Sequence, residues 1–191
     1  MSLIDYLNDN YEKLTKEAKL DIFRQVALAV DYCHSRGIMH RDIKMENILV
    51  NVDEAGQVTE VKLADFGFAC NAEKLDSEDN FCGSLVFMAP EQLQKNATYD
   101  QRADIWSMGH VLFQVLTGSD IFDECESNET NLVNSITKET INFSQYALTL
   151  DEQLLLSQMM CIKQSNRISS SEILRNSLFS EQTKRCLTYK T

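Results

Sequence analysis

A mainly α-helical chain with a small β-hairpin region is the fold class that the sequence predicts, on three observations. Leu20, Phe23, Val26, Ala27, Val30 and Cys33 recur at the spacing that lines one face of a helix. The segment 103–116, ADIWSMGHVLFQVL, is apolar on nearly every side, which marks a helix buried all round. Between these, NILV and VKLADF are short β-type runs separated by turn residues around 53–56, a hairpin-like pair of strands.

Taken in order, a helix is expected over 15–37, with Gly37 where it would close. IMHRD and NILV flank a polar loop, and a second loop follows VKLADF, so the two loops should lie close together. The buried helix at 103–116 should be the pillar of the fold. From 118 to 149 the chain is polar and acidic (SDIFDECESNETN), with a weak helical period that suits a short surface helix. An amphipathic helix is expected over 150–162, where Thr149 and Glu152 are spaced as a capping box, and Ser169 with Glu172 repeats the device before ILRNSLF. No internal repeat, low-complexity linker or domain boundary stands out, and the last residues, 180–191, form a polar tail.

With 191 residues, 43% of them hydrophobic, the chain is sized for one domain with a sizeable core. A net charge of −11 disfavours nucleic acid and anionic membrane as partners and leaves basic proteins open. The six cysteines are scattered without a CxxC pair, so reduced thiols in a cytoplasmic or nuclear setting are expected rather than a disulfide framework or zinc site. MSLIDYLNDN lacks a basic stretch followed by an apolar block, and no apolar run approaches the roughly 18 residues of a membrane span.

An Asp near a Lys and an Asn in a loop is by itself weak evidence, because most such clusters are solvated turns. Order and spacing change this. HRDIKMEN at 40–47 is followed by DFG at 65–67, MAPE at 88–91, DIWSMG at 104–109 and Arg167 ahead of a terminal helix. The series resembles the large, C-terminal lobe of eukaryotic protein kinases over residues 1–179.

The resemblance implies ATP and Mg²⁺ as cofactors and proteins as substrates. It makes Asp42 the catalytic base for the substrate hydroxyl, with Lys44 neutralising the phosphoryl group in flight. Asn47 and Asp65 become the metal ligands, and Glu46, Asn47, Leu49 and Asp65 the residues around the nucleotide, Leu49 as the floor of the adenine pocket. Such a transition state carries spread negative charge and needs cations and a positioned hydroxyl more than covalent chemistry. HRDxKxxN is the serine/threonine pattern, and Ser84 in CGSLVFMAPE matches the hydroxyl residue that packs on the catalytic Asp and Lys. Met45 stands where the family more often has Pro.

Supports are implied too. His40 and Phe66 match stacked rings aligning the two metal-bearing loops, Asp104 a brace for the loop backbone, and Glu91 with Arg167 a buried ion pair. Losing one partner of such a pair costs roughly 3–5 kcal/mol. Arg41 matches the arginine that meets a phosphorylated residue, yet Asn80 stands at the usual phosphosite. Either Glu78 or Asp79 then substitutes for the phosphate, or Ser77 is the modified residue. Glu46 also matches a carboxylate that meets a substrate arginine, whereas Ser2 and Gln114 stand where arginine-selecting kinases often have Glu. The neighbourhood of CGSLVFMAPE and DIWSMGHVLFQVLTG looks most like calcium/calmodulin-dependent and AMP-activated kinases.

The glycines lie at 37, 56, 67, 83, 109 and 118, so no GxGxxG can cover phosphates, and no VAIK-like strand precedes the loop. SLIDYL resembles the first helix after the kinase hinge, so the small β-rich lobe is expected to be absent from this chain. Two readings follow: a serine/threonine kinase catalytic lobe completed by a small lobe elsewhere, or a kinase-derived scaffold without catalysis that binds a regulatory or lobe-bearing partner. An unrelated helical hydrolase using Asp42 and Asp65 has no supporting spacing.

Overall fold

The chain is held together by a central helix that its own sequence leaves no choice but to bury. In the computed structural model, which describes residues 1–72, 82–94, 98–122, 128–138 and 141–179, the helices are α1 (Leu3–Asn10), α2 (Lys16–His34), α3 (Arg102–Thr117), α4 (Glu129–Lys138), α5 (Leu150–Met159) and α6 (Ser170–Leu174). The strands are β1 (Ile38–Met39), β2 (Ile48–Val52), β3 (Val58–Leu63) and β4 (Cys70–Asn71). The architecture is mostly helical, as expected.

Along α3 every residue from Ala103 to Phe113 is buried, polar side chains included. Its end is fixed by Gly118, whose φ of +71° suits glycine and whose Cβ, were there one, would stand 2.9 Å from the Tyr11 ring. Tyr11 in turn donates its hydroxyl to the Leu116 carbonyl at 2.7 Å. Against this pillar α2 lays Leu20, Phe23, Val26, Ala27 and Val30, all buried, and Thr15 caps its first turn by accepting from Ala18 N.

The hairpin is present: β2 and β3 pair antiparallel from Ile48↔Leu63 to Val52↔Val58, with a register shift at Asn51/Val52. Its turn closes on Asp53, whose Oδ1 accepts from the N–H groups of Ala55 and Gln57, both at 2.9 Å. The residues before α1 join the hairpin, because Val50 N donates to Met1 O at 2.9 Å. Ser2, which caps α1 by accepting from Asp5 N, is committed to that role.

Three departures from expectation have physical reasons. First, β1 pairs antiparallel with β4, Ile38↔Asn71 and Met39↔Cys70, a two-residue ladder too short to leave a pattern in sequence. Second, the helix expected over 150–162 stops at Met159, since the Cys161 carbonyl accepts from Arg167 Nε and Nη2 at 3.1 and 2.9 Å. Third, α5 is not a clean amphipathic helix: Leu155, Leu156 and Met159 are buried while Leu150 is 82% exposed. The short surface helix expected within 118–149 is α4, anchored by buried Leu132 and Ile136. Both capping boxes form. Cys33, Cys70 and Cys161 are thiols. No helix among the described residues is long and apolar enough to cross a membrane. Ser77, Glu78, Asp79, Asn80 and the tail 180–191 lie outside the described residues.

Candidate active site at the 40–47 loop

The loop is gripped from beneath before any chemistry is possible. Asp104, buried in the first turn of α3, accepts from His40 N at 2.9 Å and from Arg41 N at 2.8 Å. His34 Nε2 lies 2.8 Å from the same carboxylate and donates to it. This grip holds Arg41 at φ +69°, a left-handed backbone that costs a non-glycine residue about 1–3 kcal/mol. Gly83, at φ +98°, permits the close approach above it, since a Cβ there would stand 2.5 Å from Arg41 O.

The loop thereby presents Asp42, nearly fully buried, to a ring of donors. Oδ1 accepts from Ser84 N at 3.0 Å and from Ser84 Oγ at 3.2 Å. Oδ2 accepts from Asn47 Nδ2 at 2.8 Å and lies 2.9 Å from Lys44 Nζ. Lys44 also donates to Ser84 Oγ at 2.8 Å, so Asp42, Lys44, Asn47 and Ser84 form one bonded cluster. Burial pushes the Asp42 carboxyl up, but the Lys44 ammonium, the Asn47 amide and the Ser84 N–H outweigh it and hold the group below its ordinary value. At neutral pH it is an ionised acceptor, restrained in direction by its partners.

Asp65 is brought alongside by backbone. Ala64 N donates to Asn47 O at 2.8 Å, and His40 Nε2 donates to Ala64 O at 2.9 Å, which assigns the ring proton to Nε2. The His40 and Phe66 rings meet edge to face at 4.8 Å. Asp65 itself sits at φ +56° and accepts from Gly67 N at 3.2 Å, with its carboxylate exposed above the loop. Among the described residues no three His, Cys, Asp or Glu side chains gather as a metal site. The donors available, a carboxylate and an amide oxygen, are the hard oxygen ligands that Mg²⁺ takes when phosphates and waters complete its shell, so the residues fit that ion in company with a nucleotide.

Around this cluster Glu46 is exposed on the turn Met45–Asn47, while Met45, where the family more often has Pro, is buried in the core. Leu49 is 42% exposed on β2, and Phe66 and Phe68, just after Asp65, are exposed as well. Arg41 Nε donates to Phe68 O at 2.6 Å. Glu91 and Arg167 form the expected buried pair, two-pronged at 2.6 and 3.0 Å, with Arg167 also donating to Arg102 O at 2.7 Å. Gln114 is occupied with Asp120, to which its amide donates at 2.8 Å.

Sequence reasoning missed two side chains of α3 that reach the segment after Ser84. Ser107 Oγ donates to Phe87 O at 2.7 Å, and His110 Nδ1 lies 3.2 Å from Val86 O. The available signal was a histidine inside a helix apolar all round, since a buried polar ring must find partners.

Comparison with known proteins gives the family of the chain. Residues 1–179 match the family described as protein kinase domain. The chain is 36% identical over 192 residues to ribosomal protein S6 kinase alpha-6 of Danio rerio, covering 93% of this chain and 25% of that protein. It is 36% identical over 178 residues to a probable serine/threonine-protein kinase of Dictyostelium discoideum, covering 93% of this chain and 20% of that one. To CBL-interacting serine/threonine-protein kinase 5 of Arabidopsis thaliana it is 35% identical over 166 residues, covering 85% of this chain and 36% of that relative. The chain thus spans about a fifth to just over a third of the length of these relatives.

Proposed function

This chain belongs to the protein kinase domain family, and from that premise we propose that it is the catalytic, C-terminal lobe of a serine/threonine protein kinase. The observation that carries the reading is the bonded cluster of Asp42, Lys44, Asn47 and Ser84 beside the exposed carboxylate of Asp65. Protein kinases use ATP with Mg²⁺, and the metal supplies charge neutralisation for the transferred phosphoryl group. Asn47 and Asp65 would hold it.

Asp42 would orient the substrate hydroxyl and take its proton as the hydroxyl oxygen bonds the γ-phosphorus and the bond from that phosphorus to the bridging oxygen breaks, releasing ADP. Lys44, already between Asp42 and Ser84, has the charge to meet a phosphoryl oxygen at the same place. Ser84 keeps both aligned, which supports a serine or threonine acceptor. The resemblance of CGSLVFMAPE and DIWSMGHVLFQVLTG to calcium/calmodulin-dependent and AMP-activated kinases supports that neighbourhood for the chain. Leu49 would form the floor under adenine, and Glu46 would face the nucleotide side or a substrate arginine. A cytoplasmic or nuclear setting suits the reduced thiols.

The second reading is a scaffold that binds a lobe-bearing or regulatory partner without catalysis, favoured by the exposure of Leu49 on β2 and of Phe66 and Phe68 just after Asp65. Calorimetric titration with Mg²⁺ and ATP separates the two. It would be run on the 191-residue chain, on the chain joined to a small lobe bearing a glycine-rich loop, and on that joined form with Asp65→Asn. The catalytic reading expects nucleotide heat from the joined form, lost in Asp65→Asn, and little from the chain by itself. Silence from the joined form would leave the scaffold reading.

A further inference from the structure

Beneath the segment that follows Ser84 lies a histidine–carboxylate pair, His110 with Asp120, that the phosphotransfer reading does not use. His110 is fully buried in α3, yet both of its ring nitrogens face oxygens. Nδ1 lies 3.2 Å from the Val86 carbonyl, and Nε2 lies 3.0 Å from each oxygen of the Asp120 carboxylate. A carbonyl and a carboxylate can only accept, so the ring satisfies both neighbours only when both nitrogens carry protons. The ring also packs on Phe87 at 4.5 Å and meets Phe122 edge to face at 5.6 Å.

Asp120 is built for this partner. Phe122 N donates to its Oδ1 at 2.8 Å and Gln114 Nε2 to its Oδ2 at 2.8 Å. Burial pushes its carboxyl up, and the bonds from His110, Phe122 and Gln114 hold it below its ordinary value. Among the described residues, the titratable group placed against His110 is Asp120. The 85–87 turn presents the Val86 carbonyl and Phe87 ring, α5 brings Met159 and Met160 to the neighbouring Gly109, and Gln114 on its own helix is neutral.

The segment held this way matters because of what begins it. Ser84 touches both Asp42 and Lys44, so Leu85, Val86 and Phe87 lead directly out of the cluster at which a substrate hydroxyl would sit. We propose that His110 and Asp120 are positioning residues for protein substrate: the doubly protonated ring clamps Val86 and Phe87 in register with Asp42, and loss of one ring proton loosens residues 84–88. The inference rests on the phosphotransfer reading of Asp42 for its purpose, and on the pair alone for its physics. The sign follows from the partners: the clamp is present at low pH and is lost as pH rises.

The chain has three histidines, so ¹⁵N NMR of the ring nitrogens follows each one through a pH titration. Hydrogen exchange of residues 84–89, corrected for the intrinsic pH dependence of exchange, would be measured on the same samples. The expected result is a His110 ring with both nitrogens protonated at low pH, and an exchange rate at 84–89 that rises about tenfold at the pH where that ring loses a proton. In Asp120→Asn, which takes away the carboxylate that the ring bonds to, residues 84–89 exchange faster than in the parent. Ser107→Ala, which removes the neighbouring bond to Phe87 O, loosens the segment at every pH without moving the step. A His110 ring that is neutral at low pH, one that never changes charge while the chain is folded, or exchange that shows no step at its midpoint overturns the proposal. None of these readouts needs nucleotide, so a chain that proves unable to transfer phosphate would remove the clamp's purpose without altering its titration.

Discussion

Asp42 shows how one residue can be both structural and reactive, since each of its carboxylate oxygens already has two partners, Ser84 N and Oγ on Oδ1 and Asn47 and Lys44 on Oδ2. Asp42→Asn keeps the size and part of the acceptor pattern, so thermal unfolding should change little. Phosphotransfer by the completed enzyme should fall by about 10²–10⁴-fold, the range of a lost general base. Glu91→Ala behaves the other way: it strands a buried Arg167 and should lower stability in urea by roughly 3–5 kcal/mol. The acid side follows from Asp120. Its folded carboxyl lies below its ordinary value, so its contribution is present above the unfolded pKa and lost as pH falls through the folded one. Asp120→Asn should therefore be less stable than the parent at neutral pH, with the gap closing in acid. At this scale HRDIKMEN was legible because three of the cluster's four members, Asp42, Lys44 and Asn47, sit within eight residues. The His110–Asp120 pair was not, because its members stand ten apart across a helix end and match no motif.

At the scale of elements, caps and breaks decide where helices lie. Thr149→Ala and Ser169→Ala each remove one side of a capping box and should each cost about 1 kcal/mol in urea unfolding. Gly83→Ala should do more harm to the site than to the fold, because its Cβ would drive into Arg41 O and shift Ser84 away from Asp42. The periodicity of α2 and the all-round apolar face of α3 were readable because burial repeats along them. The end of α5 was not readable: it depends on Arg167, a residue beyond the helix, drawing off the Cys161 carbonyl. The β1–β4 ladder was hidden for a similar reason, since its two strands are two residues each and are fixed by their neighbours.

For the whole molecule the telling feature is apolar side chains left exposed in the same segments that carry the metal-type oxygens, Leu49 two residues after Asn47 and Phe66 next to Asp65. Leu49, Phe66 and Phe68 are exposed in or next to those segments, in a chain otherwise well supplied with charge. Under the catalytic reading a small lobe covers them. Binding of a hydrophobic-surface dye to the chain should then fall when a small lobe is joined, whereas a dye signal unchanged by joining would place the cover elsewhere.

The most direct test is transfer of radiolabelled γ-phosphate from ATP with Mg²⁺ to matched peptides bearing Ser, Thr or Tyr, by the chain joined to a small lobe and by its Asp42→Asn form. Label on the Ser and Thr peptides, absent from Tyr and lost with Asp42→Asn, is the predicted result. Transfer that survives Asp42→Asn undiminished, or nucleotide binding without transfer to any hydroxyl, would contradict the assignment of Asp42 and its cluster as the phosphotransfer site.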